Sequence, residues 1–206
     1  MKNSLMLAKK IYFIGIGGIG VSALARMMVG RGKEVAGSDR SESLITKELQ
    51  KKGVQIFLGH KAEHVTSDID AVIYTIAVGE DNPELKKARS FNIPTTSYPE
   101  ALGIVSEGMF TIAVSGTHGK TTTTAMVGEI FSYAKKSPTI IVGSLLQDKK
   151  TNFVEGKSNL FVVEACEYKR SFLHLHPNIL VITNIDNDHL DYYKNTADIQ
   201  SAFNEL

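Results

Sequence analysis

The sequence predicts an α/β protein in which a Rossmann-like parallel-sheet N-terminal domain is followed by the first half of a P-loop-type α/β ATPase domain. Three observations predict it. Short apolar runs alternate with helical stretches along the 206 residues. Two of the strand-to-helix junctions, at 15–20 and 116–122, are glycine turns of the kind that cradles phosphate. The composition, 43% apolar and 22% charged, is that of a chain able to build buried cores.

Residues 11–15, Ile-Tyr-Phe-Ile-Gly, read as a buried strand, and 19–31 as a helix turning Ile19, Ala23, Leu24, Met27 and Met28 inward. Between them Gly15-Ile16-Gly17-Gly18-Ile19-Gly20 satisfies G-x-G-x-x-G in the strand–turn–helix setting that the motif requires. The next strand, 34–39, ends in Asp39, whose carboxylate can accept from a ribose hydroxyl or cap the local backbone. Strands at 54–58 and 71–75 alternate with helices at 43–52, 82–90 and 97–106, so the first domain spans 1–107. Its glycine turn recognises a pyrophosphate, and NAD, FAD or a UDP-sugar would satisfy it equally; a tight connection that binds nothing is the plain alternative.

The second domain, 108–206, opens with a strand at 110–115 and a helix at 120–134. Strands follow at 139–142, 160–164 and 178–183, with a polar loop or hairpin at 148–157. The helix at 197–206 carries no C-cap glycine or trailing proline, so the chain reads as stopping part-way through this domain, with an incomplete sheet. The junction Gly116-Thr117-His118-Gly119-Lys120-Thr121-Thr122 is tighter than the general P-loop, which would want glycine in place of Val114. Its chemistry is still that of a nucleoside triphosphate site: turn N–H groups and a helix N-terminus for phosphate oxygens, Lys120 as a mobile positive charge, and a threonine hydroxyl able to ligate Mg²⁺.

Other residues carry weaker signals. Glu164 ends a buried strand, which hangs its carboxylate over the sheet edge where ligands collect. Asp186, Asp188, His189 and Asp191 form either a cation site or a solvated acidic loop, with His189 an unusual ligand for Mg²⁺. His174 and His176 read as a strand lead-in without assigned role, and Cys166 as a small buried thiol rather than a nucleophile.

Composition excludes several function classes. A net charge of +1 lacks the basic excess of a nucleic-acid binder. No uninterrupted apolar run approaches the about 18 residues of a membrane span, and Leu5-Met6-Leu7 is too brief for a signal peptide. One cysteine forms no intramolecular disulfide, which fits a reducing, cytoplasmic setting. Nothing signals an oligomeric state.

Together the residues resemble the Mur ligase family, whose short ATP loop G-[ST]-x-G-K-[ST] stands here as Gly116-Thr117-His118-Gly119-Lys120-Thr121. The opening glycine turn, Ser38-Asp39, Glu164-Ala165-Cys166-Glu167 and Asn184-Ile185-Asp186-Asn187-Asp188-His189-Leu190-Asp191 extend the resemblance over nearly the whole chain. It implies that 1–107 holds UDP-N-acetylmuramate, with Gly15, Gly17, Gly18, Gly20, Asp39, His60 and Thr75 as contacts, and that 108–206 is part of the central ATP-binding domain. Gly116 through Thr122 would bind ATP, Lys120, Glu164 and His189 would be catalytic, and Thr121, Glu164 and His189 would hold Mg²⁺. The implied reaction, in peptidoglycan precursor synthesis, passes the γ-phosphoryl of ATP to the lactyl carboxylate and then joins L-alanine to it. A chain of this extent is expected to lack turnover by itself. The alternatives are a family member that recycles murein tripeptide, a non-catalytic nucleotide-binding remnant, or an NAD-dependent oxidoreductase; Lys120-Thr121 argues against the last, since hydride transfer needs no triphosphate cradle.

Overall fold

A computed structural model describes residues 2–146 and 150–206, which fall into two compact units, Met1–Val105 and Ser106–Leu206. The boundary lies two residues before the expected 107.

In the first unit the elements run α1 (Lys2–Leu7), β1 (Lys10–Ile14), α2 (Ile19–Gly30), β2 (Glu34–Asp39), α3 (Leu44–Lys51), β3 (Gln55–Leu58), a 3₁₀ turn (Ala62–His64), β4 (Ala71–Tyr74), α4 (Pro83–Ser90), β5 (Thr95–Ser97) and α5 (Tyr98–Ser106). The five strands form one parallel sheet in the order β3-β2-β1-β4-β5. Strand β1 lies at its centre, which is why Ile11, Tyr12, Phe13 and Ile14 are all buried. Helix starts follow local chemistry. Ser43 and Thr46 close a reciprocal capping box on α3, and Asn82 accepts from the N–H groups of Glu84 and Leu85 just ahead of Pro83 in α4. Because the strand order reverses between β1 and β4, a crevice opens at their carboxyl ends, and the glycine turn after β1 lies there.

The second unit contains β6 (Phe110–Ser115), α6 (Lys120–Tyr133), β7 (Thr139–Leu146), β8 (Thr151–Val154), β9 (Leu160–Glu164), a 3₁₀ segment (Tyr168–His174), β10 (Ile179–Ile182) and α7 (Thr196–Glu205). Its sheet has the order β10-β6-β9-β7-β8, and only β8 runs antiparallel, as a hairpin partner of β7. The core is built on Ile112 to Val114, Phe161 to Val163 and Ile140 to Val142. At the β10 edge Ile179 and Ile182 are 45% and 43% exposed.

Several elements depart from the expectation: α1 and the 3₁₀ turn at Ala62–His64 are additions to it, and β7 runs on to Leu146 rather than ending at 142. Thr95–Ser97 is a strand although it carries no apolar residue; pairing of Val72 with Thr95 and Ile73 with Thr96 recruits it to the sheet edge. The 148–157 stretch supplies β8, while Asp148 and Lys149 lie outside the described residues. Residues 168–174 wind into a 3₁₀ segment in which Lys169 and Arg170 take left-handed backbone angles, so its periodicity matched no regular helix.

Candidate functional site

A cleft lies at the carboxyl edge of the sheet in each unit. The first, about 350 Å³, is lined by Gly15, Gly17, Gly18, Asp39, Arg40, Ser41, Ser43, His60, Thr75, Ala77 and Val78. Six of the seven expected substrate contacts are therefore together. The seventh, Gly20, stands at the start of α2 against the Tyr98 ring, 2.6 Å from where a Cβ would lie. The turn is held from behind, since the N–H groups of Gly15 and Ile16 donate to the Ser38 carbonyl at 2.8 and 3.0 Å. Asp39 is a capping group in this state. Its Oδ2 accepts the Gly17 N–H and its Oδ1 the Arg40 N–H, both at 2.8 Å, which ties the end of β2 to the turn. Helix α2 starts behind the turn with no side-chain cap, leaving its positive end toward the cleft.

The second cleft, also about 350 Å³, is lined by Thr117, His118, Gly119, Lys120, Thr121 and Thr122. Gly116 and Gly119 have φ of 126° and 81°, and α6 begins at Lys120 without a side-chain cap, so its first-turn N–H groups are left for an anion. Thr117 shapes the loop rather than facing a ligand with its hydroxyl: Oγ1 donates to the Asp186 carbonyl at 3.2 Å and accepts the Asp186 N–H at 2.9 Å. Asn184 does the same for His118, accepting its N–H at 3.0 Å and donating to its carbonyl at 3.0 Å.

Lys120 turns back across this cleft. Its Nζ donates to the carbonyls of Gly116 at 2.5 Å and Thr117 at 3.0 Å and pairs with Glu167 Oε1 at 2.9 Å. Glu167 is 2% exposed, and its Oε2 has no hydrogen-bond partner among the described residues. Tyr193 fixes the same residue from the other side, its hydroxyl donating to the Glu167 carbonyl at 2.5 Å; burial pushes the Tyr193 phenol up to about 12.

Glu167, Asp188 and His189 have ligand atoms within 4.8 Å of one another, a grouping able to hold a cation. His189 Nε2 lies 3.6 Å from Glu167 Oε1 and 4.0 Å from Asp188 Oδ2. This differs from the expected set. Glu164 stands outside the trio and its Oε2 accepts the Gly143 N–H at 2.7 Å. Asp191 is taken up by the Tyr168 hydroxyl at 2.9 Å, and Asp186 accepts the Asn187 N–H at 2.7 Å. Cys166 is exposed rather than buried; protein packed around its sulfur, and Glu167 beside it, nonetheless push the thiol up, which disfavours the thiolate. His174 and His176 are exposed and outside both clefts. Glu167 and Asn184 are the residues that the sequence reading leaves without a role; the signal for Glu167 is its place three residues after Glu164, where the chain turns back toward the loop.

Residues 10–108 match the Mur ligase family, catalytic domain, and residues 114–206 match the Mur ligase middle domain. The chain belongs to the Mur ligase family. Among relatives of this Mur ligase chain, the UDP-N-acetylmuramate--L-alanine ligase of Clostridium novyi is 52% identical over 196 residues, covering 95% of this chain and 43% of the relative. That of Clostridium acetobutylicum is 48% identical over 204 residues, covering 98% and 44%. The chain thus spans less than half the length of these curated relatives. Of solved structures, the UDP-N-acetylmuramate-alanine ligase of Thermotoga maritima superposes with a TM-score of 0.88 at 39% identity, over 95% of this chain and 46% of that one. The UDP-N-acetylmuramate:L-alanyl-gamma-D-glutamyl-meso-diaminopimelate ligase from Neisseria meningitides gives the same TM-score at 26% identity, over 96% and 67%. No helix among the described residues is long and apolar enough to cross a membrane.

Proposed function

We propose that this chain carries the UDP-sugar-binding and ATP-binding parts of a cytoplasmic enzyme that ligates L-alanine to the lactyl carboxylate of UDP-N-acetylmuramate in peptidoglycan precursor synthesis. The observation that carries the reading is the pairing of two glycine turns, each at the carboxyl edge of its own sheet, with a lysine and, among the described residues, a cation-capable trio at the second. The close relatives' names support the same reading. The murein-peptide alternative shares the fold, and its lower identity, 26% against 39%, favours the alanine-adding reaction.

A carboxylate resists amide formation because oxide is a poor leaving group. In the proposed reaction the lactyl carboxylate oxygen attacks the γ-phosphorus of ATP and ADP departs. The amine of L-alanine then adds to the acyl phosphate carbonyl, loses a proton, and expels inorganic phosphate. The chain's contribution is positioning and charge neutralisation. The first turn of α6, from Lys120, offers backbone N–H groups to the triphosphate, and Lys120 moves from Glu167 onto its oxygens. The site fits Mg²⁺, because Glu167 keeps a buried carboxylate oxygen without a hydrogen bond beside Asp188 and His189. Thr121, Glu167, Asp188 and His189 would hold the ion, with Glu164 at the same sheet edge as the further carboxylate that the family resemblance points to. When bound, Mg²⁺ neutralises phosphate charge and orients the γ-phosphoryl group. In the first unit, Gly15, Gly17 and Gly18 would meet the pyrophosphate, and Asp39, His60 and Thr75 the rest of the nucleotide.

Calorimetric titration of the 206-residue chain tests this. Separate saturable binding of UDP-N-acetylmuramate and of MgATP, and no binding of NAD, is expected. NAD binding without UDP-sugar binding would overturn the reading in favour of an oxidoreductase.

A further inference from the structure

Behind the first cleft lies a buried acidic hub. Glu84, in the first turn of α4, is 0% exposed, and its carboxylate meets four side chains. Oε1 accepts from the Tyr12 hydroxyl at 2.8 Å and from His64 Nδ1 at 2.8 Å. Oε2 accepts from the Ser38 hydroxyl at 2.5 Å and from His60 Nδ1 at 2.8 Å. A carboxylate has about four lone-pair positions and offers only acceptors, so with Glu84 as a carboxylate each of these neighbours donates to it; Ser38 Oγ also lies 3.0 Å from His60 Nδ1, a second acceptor for the same proton. Burial and the Glu84 charge push the Tyr12 phenol well above its ordinary range, which keeps it a donor.

His60 therefore carries its proton on Nδ1. In the neutral tautomer this leaves Nε2 as an acceptor, set by the bond that the other nitrogen makes. Of the two histidines on the hub, His60 lines the cleft, whereas His64 stacks on Phe57 with ring centroids 4.4 Å apart. His60 follows β3, two strands along the sheet edge from the glycine turn after β1. With a pyrophosphate at that turn, the β3 end of the cleft is on the side of Asp39, the ribose-reading position of such folds.

We propose that Glu84 is a positioning residue for nucleotide recognition: by holding the proton of His60 on Nδ1, it makes Nε2 an acceptor for a hydroxyl or N–H donor of the bound nucleoside. This rests on the reading of the first cleft as a UDP site. Glu84 touches no ligand itself; it acts through His60.

The test uses the 206-residue chain. Long-range ¹H–¹⁵N correlation spectra of the ligand-free chain read each imidazole tautomer, and the proposal expects Nδ1–H for His60. Glu84→Ala should move His60 toward the Nε2–H form and weaken UDP binding at least tenfold, with MgATP affinity unchanged. His64→Gln removes an equivalent arm of the hub away from the cleft and should leave UDP affinity within about twofold. In the unaltered chain, 2′-deoxy-UDP and 3-methyl-UDP identify the donor as the analogue that binds more weakly. An Nε2–H signal for His60 in the unaltered chain would overturn the proposal, even if Glu84→Ala failed to fold. Equal loss of UDP affinity in Glu84→Ala and His64→Gln would reduce the hub to a structural fastening and overturn it as well. Absence of UDP binding by the unaltered chain would instead sink the substrate reading, while the spectrum still decides whether Glu84 sets His60.

Discussion

Replacing Lys120 by Met removes the cation facing Glu167 while keeping most of the side chain's apolar stem. Glu167 is 2% exposed and the Lys120 side chain 13%, so the 2.9 Å pair is largely withdrawn from water. Breaking a buried pair by deleting one partner costs about 3–5 kcal/mol, because the other charge is left uncompensated. Here water reaches the lysine end and can partly solvate the orphaned carboxylate, so the expected loss is about 2–3 kcal/mol. Glu167→Gln should cost less, about 1 kcal/mol, since the amide oxygen still accepts from the lysine. The double variant should cost only about 1 kcal/mol, giving a coupling of about 2–3 kcal/mol. Urea unfolding read through hydrogen exchange of the β6 and β9 amides reports the second unit alone. A coupling within about 0.5 kcal/mol of zero would refute the pair as an energetic element, and with it the idea that a triphosphate must draw Lys120 off Glu167.

Other expectations follow from single contacts. Gly116→Ala places a Cβ 2.2 Å from Thr183 Oγ1 and 2.8 Å from the Asn184 carbonyl, at a φ of 126°; strain and overpacking should cost about 3 kcal/mol in thermal unfolding, and an unchanged melting temperature would contradict the loop geometry. Gly20→Ala drives a methyl into the Tyr98 ring and should cost about 1–3 kcal/mol, read in the same way for the first unit. Asp70 Oδ2 accepts the N–H groups of Lys9 and Lys10, both at 2.8 Å, and these bonds hold its carboxyl below the ordinary 3.8. A depressed folded pKa means that the contribution is full above the unfolded value and is lost as pH falls through the folded one. The stability gap between the native chain and Asp70→Asn should thus narrow on acidification below about pH 4, and a gap independent of pH would argue against the bond.

Both glycine turns were legible because their chemistry is local: a strand, a turn needing glycine, and a helix start follow one another within a dozen residues. The long apolar strands β1, β6 and β9 were legible for the same reason. Strand β5 was not, because Thr95-Thr96-Ser97 carries no apolar alternation and becomes a strand only by pairing with β4. The cation trio was partly legible. Asp188 and His189 stand out as an acidic cluster beside a histidine, but which upstream carboxylate joins them depends on the left-handed bend at Lys169 and Arg170 and on the hold of Tyr193, both tertiary facts. Glu164 ends its strand as expected and is then claimed by the Gly143 amide. The Glu84 hub was invisible, because its members come from β1, β2, the loop after β3, a 3₁₀ turn and α4, brought together only by the strand order.

The most direct test of two separate phosphate sites is hydrogen exchange of the 206-residue chain, resolved to peptides, with UDP-N-acetylmuramate and with MgATP in turn. The account predicts that the UDP-sugar slows exchange at 15–20 and 39–43 and leaves 116–122 unchanged, and that MgATP does the reverse. Protection of 116–122 by the UDP-sugar, or of 15–20 by MgATP, would contradict the assignment of one ligand to each turn.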